Sequence, residues 1–332
     1  MWTPANIATA LWLDAADAGT VQVVSGAISQ WNDKSGNTRA AVQSTASYRP
    51  LLQANTLNGL PVAQFDGVDD FLPIPSWTTF PSPLSFVLVA IPLAKASGDR
   101  GTLVSKSSFY AITQSAFPAS LRVSMNAATL TTHQDAGNDY TADITLSGAI
   151  TPGAALIVGV QYSSTAGESI ALWANGALLQ SAAASGISTY SHAWTLGRES
   201  VENSGGVGGT ALKGSIAEVV AVSGAITTDT RQHIEGYLAK KWGLLALLPA
   251  DHPYKSGKTY TLAGHARFSD GAVASQAWCW RSDTGAVVGT VTPSPVDGAF
   301  AVEVYQPITA YITISKAGYR PKTHLCAAVE VV

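Results

Sequence analysis

The sequence predicts an all-β chain of two sandwich domains with a single helix, and three observations predict it. Thirty glycines and sixteen prolines punctuate the 332 residues, so turns are frequent. Between them lie short runs rich in Val, Ile, Leu, Thr and aromatic residues, the types that fit a pleated, half-buried surface. Hydrophobic residues make up 46% and charged residues 12%, which is ample for a core and argues against a disordered chain.

The first domain is read over residues 1–249. Strand-like runs recur at 10–13, 62–65, 84–91, 121–125, 156–162, 170–173 and 216–222, separated by Gly, Asn, Asp and Pro. Asn175-Gly176 between two such runs predicts a two-residue hairpin, because both central residues of a type I′ turn need positive φ. One helix is predicted over 228–242. Thr227 is its N-cap, Ile234, Tyr237, Leu238, Lys241 and Trp242 form its apolar stripe with one lysine, and Gly243 ends it.

Residues 250–256 read as a linker, flanked or interrupted by Pro249 and Pro253. A second domain follows over 257–332. Turn signals at Asp270-Gly271, Thr284-Gly285, Asp297-Gly298 and Ala317-Gly318 fit a small seven-stranded sandwich. The two cysteines, Cys279 and Cys326, are expected to be free thiols.

Charge and hydropathy narrow the function. The net charge is −3 and no run of Lys or Arg exists to neutralise a row of phosphates, so no nucleic-acid partner is expected. The longest apolar run, 84–94, is about half the ~20 residues a membrane span needs, and Pro92 interrupts it. The opening Met1-Trp2-Thr3-Pro4 lacks a basic segment followed by an apolar one, so no signal peptide and folding in a bacterial cytoplasm are expected.

Two stretches resemble a known family. The opening, LWLDAADAGTV (11–21), ISQWNDKSGN (28–37), RP (49–50) and LNGLPVAQFDGVDDFL (57–72), resembles the laminin-G-like, concanavalin A-like jelly rolls of tailed-bacteriophage and bacterial surface proteins. So does the close, residues 214–255. Residues 73–213 carry no detailed match. DGAF (297–300) and KAGYRP (316–321) resemble carboxypeptidase-regulatory or other Ig-like and transthyretin-like modules. The resemblance implies a jelly roll followed by a small Ig-like sandwich, on a virion surface. It implies other virion proteins as partners, host surface polysaccharide as a further one, and a homo-oligomer, with a trimer by analogy. The fold itself hosts many roles.

Candidate sites follow from side-chain chemistry. Glucanases of this fold carry paired glutamates around an aspartate on one strand, and no such run occurs, so no enzyme is expected. Glu199 and Glu202 lie three apart beside a glycine-rich loop and read as solvated loop residues. Ser204 to Thr210 lacks the G-K-[ST] ending of a phosphate loop. Asp66, Asp69 and Asp70 form an acidic turn that offers two or three calcium ligands, and turn-forming aspartates bonding their own backbone give the same pattern. No other cofactor is expected. Tyr190, His192 and Trp194 alternate on one strand face with Arg198 just beyond, the aromatic ring and donors a sugar needs; a core tryptophan with the others lining an ordinary edge is the competing reading. Two function classes remain: a receptor-binding or tail-fibre-associated protein engaging glycan, and a structural decoration protein of capsid or tail.

Overall fold

The fold is described from a computed structural model, which covers residues 2–95, 101–106, 121–126, 128–134, 144–184, 193–199, 210–256, 260–281, 287–304, 309–317, 320–327 and 329–330. Two compact units form, one spanning Thr3–His252 and the other Pro253–Val332 together with Trp2.

The first unit is a jelly-roll β-sandwich with one helix. Its larger, antiparallel sheet runs Ala177–Ala183, Ser169–Ala174, Leu156–Tyr162, Leu84–Pro92, Lys213–Ser223, Leu60–Asp66, Leu51–Leu57, Ala27–Trp31 and Val21–Val24. Thr9–Asp14 also pairs with Lys213–Ser223, and Ala41–Val42 with Ala27–Trp31. The facing sheet runs Ile144–Ala149, Thr129–Gln134, Leu121–Asn126, Gly101–Lys106, Trp194–Leu196 and Leu72–Ile74. The predicted hairpin is present: Asn175 and Gly176 have φ of 52° and 82°.

Period-two alternation assigns each residue a side. Leu11, Leu13, Phe86, Leu88, Ala90, Val219 and Ala221 enter the core between the sheets. Trp12, Val87, Val89 and Val220 are also buried but lie outside that cluster, on the opposite face of the larger sheet. Strands buried on both faces read as continuous apolar runs, which is why 84–91 shows no alternation. A β-bulge between Ile216 and Glu218 resets the alternation, so Ile216 and Val219 both face the core while Glu218 faces away from it.

The helix Thr228–Trp242 covers that second face and packs against Leu84–Pro92 and Leu156–Tyr162. Thr227 Oγ1 accepts the Thr230 N–H at 3.1 Å, and Gly243 closes the helix at φ 73°. Ile234, Leu238 and Trp242 are buried, as the stripe requires. Lys241, the anomaly in the stripe, reaches the carboxylates of Asp14 and Glu218. Glu218 is fully enclosed and accepts from Trp12 Nε1 at 2.7 Å, Tyr237 Oη at 2.9 Å, Lys241 Nζ at 2.7 Å and Trp242 Nε1 at 2.7 Å. Burial, then the nearby Asp14 charge, pushes its carboxyl above the usual range; Lys241 and Trp12 pull it back.

The second unit holds seven strands in two antiparallel sheets among the described residues. One runs Ala299–Val304, Tyr260–His265 and Val329–Glu330; the other runs Val287–Val291, Gln276–Arg281, Thr309–Ser315 and Lys322–Ala327. Cys279 pairs with Ile312 and Cys326 with Ala310, on opposite sides of Thr309–Ser315. Two strand spacings and a two-residue offset along the strand put their Cα atoms about 11–12 Å apart, beyond the ~7 Å limit for a disulfide.

Two measurements check this architecture. Trp242→Ala removes a fully buried ring and leaves a lone pair of Glu218 unmatched, so urea unfolding is expected to show a loss of about 3–5 kcal/mol. An unchanged midpoint means that the helix is peripheral. Thiol titration of the denatured, unreduced protein is expected to find both sulfhydryls; finding neither contradicts the register.

Candidate functional site

Three segments distant in sequence meet at one rim of the first unit: the loop after Ala41–Val42, the turn between Leu60–Asp66 and Leu72–Ile74, and the turn after Trp194–Leu196. The middle segment leaves the larger sheet and enters the facing one, so its chain must reverse between them. Asp66 organises the reversal. Its Oδ1 accepts the N–H groups of Val68 at 2.7 Å and Asp69 at 3.2 Å, and Gly67 supplies φ of 85°. Asp70 closes the turn by accepting the Asp66 N–H at 2.9 Å.

The flanking loop is fastened to this turn. Phe71 N–H donates to Tyr48 O at 3.0 Å, and Gln43 Nε2 donates to Phe71 O at 3.1 Å. Arg49 bonds the carbonyls of Gln43 and Ser44 and holds the loop's own shape. The rings of Tyr48 and Phe71 thereby come within 5.6 Å of each other at 43°. Tyr48 is exposed and Phe71 half-buried.

The third segment delivers Arg198. Gly197 has φ of 88°, and a Cβ there would lie 2.3 Å from Phe65 Cε1, so only glycine fits. Ser105 Oγ donates to Arg198 O at 2.9 Å. The guanidinium lies 3.3 Å from the Phe71 centroid and 5.9 Å from that of Tyr48. Its Nε is buried and has no hydrogen-bond partner among the described residues. Burial lowers the Arg198 pKa, while Tyr48 and Asp69 oppose the shift. The rim therefore offers an exposed phenol ring, a half-buried phenyl ring, a guanidinium held flat and a neighbouring carboxylate. It can stack an apolar sugar face and both donate to and accept from hydroxyls.

The residues singled out in the sequence fall as follows. Trp194 is fully enclosed: its ring lies 4.8 Å from Phe86, 5.4 Å from Trp77 and 6.3 Å from Phe80, and its Nε1 donates to Thr79 O at 3.2 Å. That ring serves the core and presents no platform. Tyr190, His192, Glu202 and residues 204–209 lie outside the described residues. Glu199 is buried and pairs with Arg122 at 3.5 Å. The carboxylates of Asp66, Asp69 and Asp70 gather within 4.8 Å, but Asp66 Oδ1 and Asp70 Oδ2 are already engaged by backbone amides. A self-bonded turn accounts for this arrangement without an ion. Sequence reasoning missed Tyr48 and Phe71 because nothing local ties residue 48 to 71; the aromatic flanking the acidic turn was the one available signal.

No family model and no curated protein matches the sequence. Solved structures resemble the chain at low identity. The Trypanosoma rangeli sialidase in complex with sialic acid has 12% identity and a TM-score of 0.46, over 70% of this chain and 33% of that one, so the chain spans about a third of the sialidase. The botulinum neurotoxin serotype D binding domain has 12% identity and a TM-score of 0.47, over 97% of this chain and 74% of that one. The type G receptor binding domain has 9% identity and a TM-score of 0.43, over 97% and 79%. Likeness at this level says nothing of ligand or reaction.

A pH dependence follows from the acidic turn. Burial, then the charges of Asp66 and Asp69, raises the Asp70 pKa from 3.8 to about 6. Between these values the unfolded chain has released the proton and the folded one retains it. Stability therefore falls as pH rises from about 4 to about 6, and levels off above. Asp70→Asn keeps an acceptor for Asp66 N–H and removes the ionisation. Its Tm is expected to exceed the parent's more at pH 7 than at pH 4; an equal difference at both would clear Asp70 of this role.

Proposed function

We propose that the protein is a non-enzymatic carbohydrate-binding surface protein whose first domain engages glycan through Tyr48, Phe71, Arg198 and Asp69. The observation that carries this reading is the guanidinium of Arg198 held face-on over Phe71 beside the exposed Tyr48. Sugars present apolar C–H faces and pairs of hydroxyls, and a fixed ring with adjacent donors and acceptors matches both. Arg198 belongs to the sequence-derived site; the platform is transferred from Trp194 to the Tyr48–Phe71 pair.

The resemblance of residues 11–72 and 214–255 to bacteriophage surface jelly rolls supports a setting on the virion surface, as a receptor-binding or tail-fibre-associated protein engaging host polysaccharide. The second domain is then an Ig-like spacer. No described helix is long and apolar enough to cross a membrane. A structural decoration protein is the second reading. It draws on the outermost strand of the larger sheet, Val21–Val24, where Val23 and Val24 are 46% and 54% exposed and available to neighbouring proteins.

A glycan array and host-cell binding assay of the parent, Tyr48→Ala and Arg198→Ala tests the first reading. The parent is expected to bind, and each variant to lose about tenfold or more in affinity with its Tm nearly unchanged. Full binding by both variants moves the site elsewhere. A parent that binds no glycan and no host surface supports the decoration reading, and labelling of intact particles then locates the protein on head or tail.

A further inference from the structure

Arg198 differs from the other arginines packed into the fold. Arg39 donates to Ala10 O at 2.6 Å, and Arg49 to Gln43 O and Ser44 O. Arg122 pairs with Glu199, and Arg231 with Glu235. Even the exposed Arg267 bonds three carbonyls, those of Asp297, Gly271 and Val296. Each has an internal acceptor. Arg198 has ring faces beneath it and a sealed, unpartnered Nε, with no carboxylate oxygen within ion-pair distance among the described residues.

Among the described residues this half-buried guanidinium has no acceptor, so nothing within them repays the desolvation of its sealed Nε. The arrangement is nonetheless tightly held: Gly197 is locked against Phe65, and Arg198 O is bonded by Ser105. The stack over Phe71 fixes the plane of the group, so its two terminal nitrogens form a preset fork. Such a fork matches a carboxylate bidentately, where a lysine offers only a point charge. Asp69 acts on Arg198 through space without forming an ion pair. It is suited to accept from a hydroxyl next to the bound carboxylate.

We infer that the preferred ligand of this rim is an acidic sugar, a uronic-acid residue whose carboxylate is held by the terminal nitrogens of Arg198 while its ring stacks on Tyr48 and a hydroxyl donates to Asp69. The inference rests on the glycan-binding reading and specifies its substrate class. A sugar acid carries both groups the rim calls for: an anion for the guanidinium and hydroxyl donors for the carboxylate.

The test pairs each acid polymer with an uncharged twin. Oligogalacturonate, oligoalginate and hyaluronan fragments are titrated against the full chain beside their methyl-esterified forms, with neutral glucan and mannan oligomers as a third set. The acid forms are expected to bind about tenfold more tightly than their esters. Arg198→Lys, which keeps the charge and loses the fork, is expected to abolish that preference, and Asp69→Asn to keep it. Equal binding of acid and ester, or binding of the neutral oligomers alone, overturns the acidic-sugar inference and leaves glycan binding standing. Binding of no oligomer in any set overturns both. A preference unchanged in Arg198→Lys shows that charge alone, and not this fork, selects the ligand.

Discussion

A single enclosed carboxylate, Glu218, holds the layers of the first unit in place. Burying an unpaired charge costs several kcal/mol, so the group is tolerated only where donors surround it. Here the four donors come from two places: Trp12 on the neighbouring strand, and Tyr237, Lys241 and Trp242 on the helix. Lys241 continues the chain of charges to Asp14, and Lys34 joins Asp14 to Asp17. Asp33 fixes the loop that carries Lys34 by accepting the N–H groups of Trp12, Ser35 and Arg39. If any donor is removed, the remaining partners keep their desolvation cost without full return. Helix docking, the bulge at Ile216 and the folding of the 32–39 loop are therefore one linked arrangement.

That linkage explains which parts of the sequence carry family-like motifs. LWLDAADAGT, QWNDKSGN and GYLAKKWG supply Trp12, Asp14, Asp17, Asp33, Lys34, Tyr237, Lys241 and Trp242, and these converge on one network. These three motifs record how the jelly roll is fastened. The helix was legible down to its caps because capping is local. The hairpin at Asn175-Gly176 was legible for the same reason. Lys241 looked like an imperfection in an apolar stripe, since its partners lie on strands more than twenty residues away and only pairing brings them close.

The rim site was half legible. Arg198 and the acidic turn each stood out by residue type, but as separate candidates on different grounds. Their meeting depends on the crossing of the chain between sheets at 66–72 and on the pairing of Trp194–Leu196 with Leu72–Ile74. Tyr48 enters only through its carbonyl bond with Phe71. Trp194 shows the converse. Alternation could not say that the face carrying Trp194 looks inward; the register opposite Ile74, with Trp77 and Phe86 packed against its ring, decides that.

The position of the helix also governs how the first unit bears mechanical load. Its first long strand, Thr9–Asp14, and its last, Lys213–Ser223, are antiparallel neighbours, with Thr9 opposite Val222. Tension applied directly to those two ends acts at one end of the pair and peels it open one bond at a time. The helix and the segment after it carry the exit away from that end. The chain leaves at His252, whose Nε2 meets the enclosed Glu235 carboxylate at 3.1 Å, while Arg231 holds the other oxygen of Glu235 and lies 5.0 Å from the Trp173 ring. A pull transmitted through the linker would therefore fall first on the buried side-chain contacts of Glu235, and on the backbone ladder only behind them.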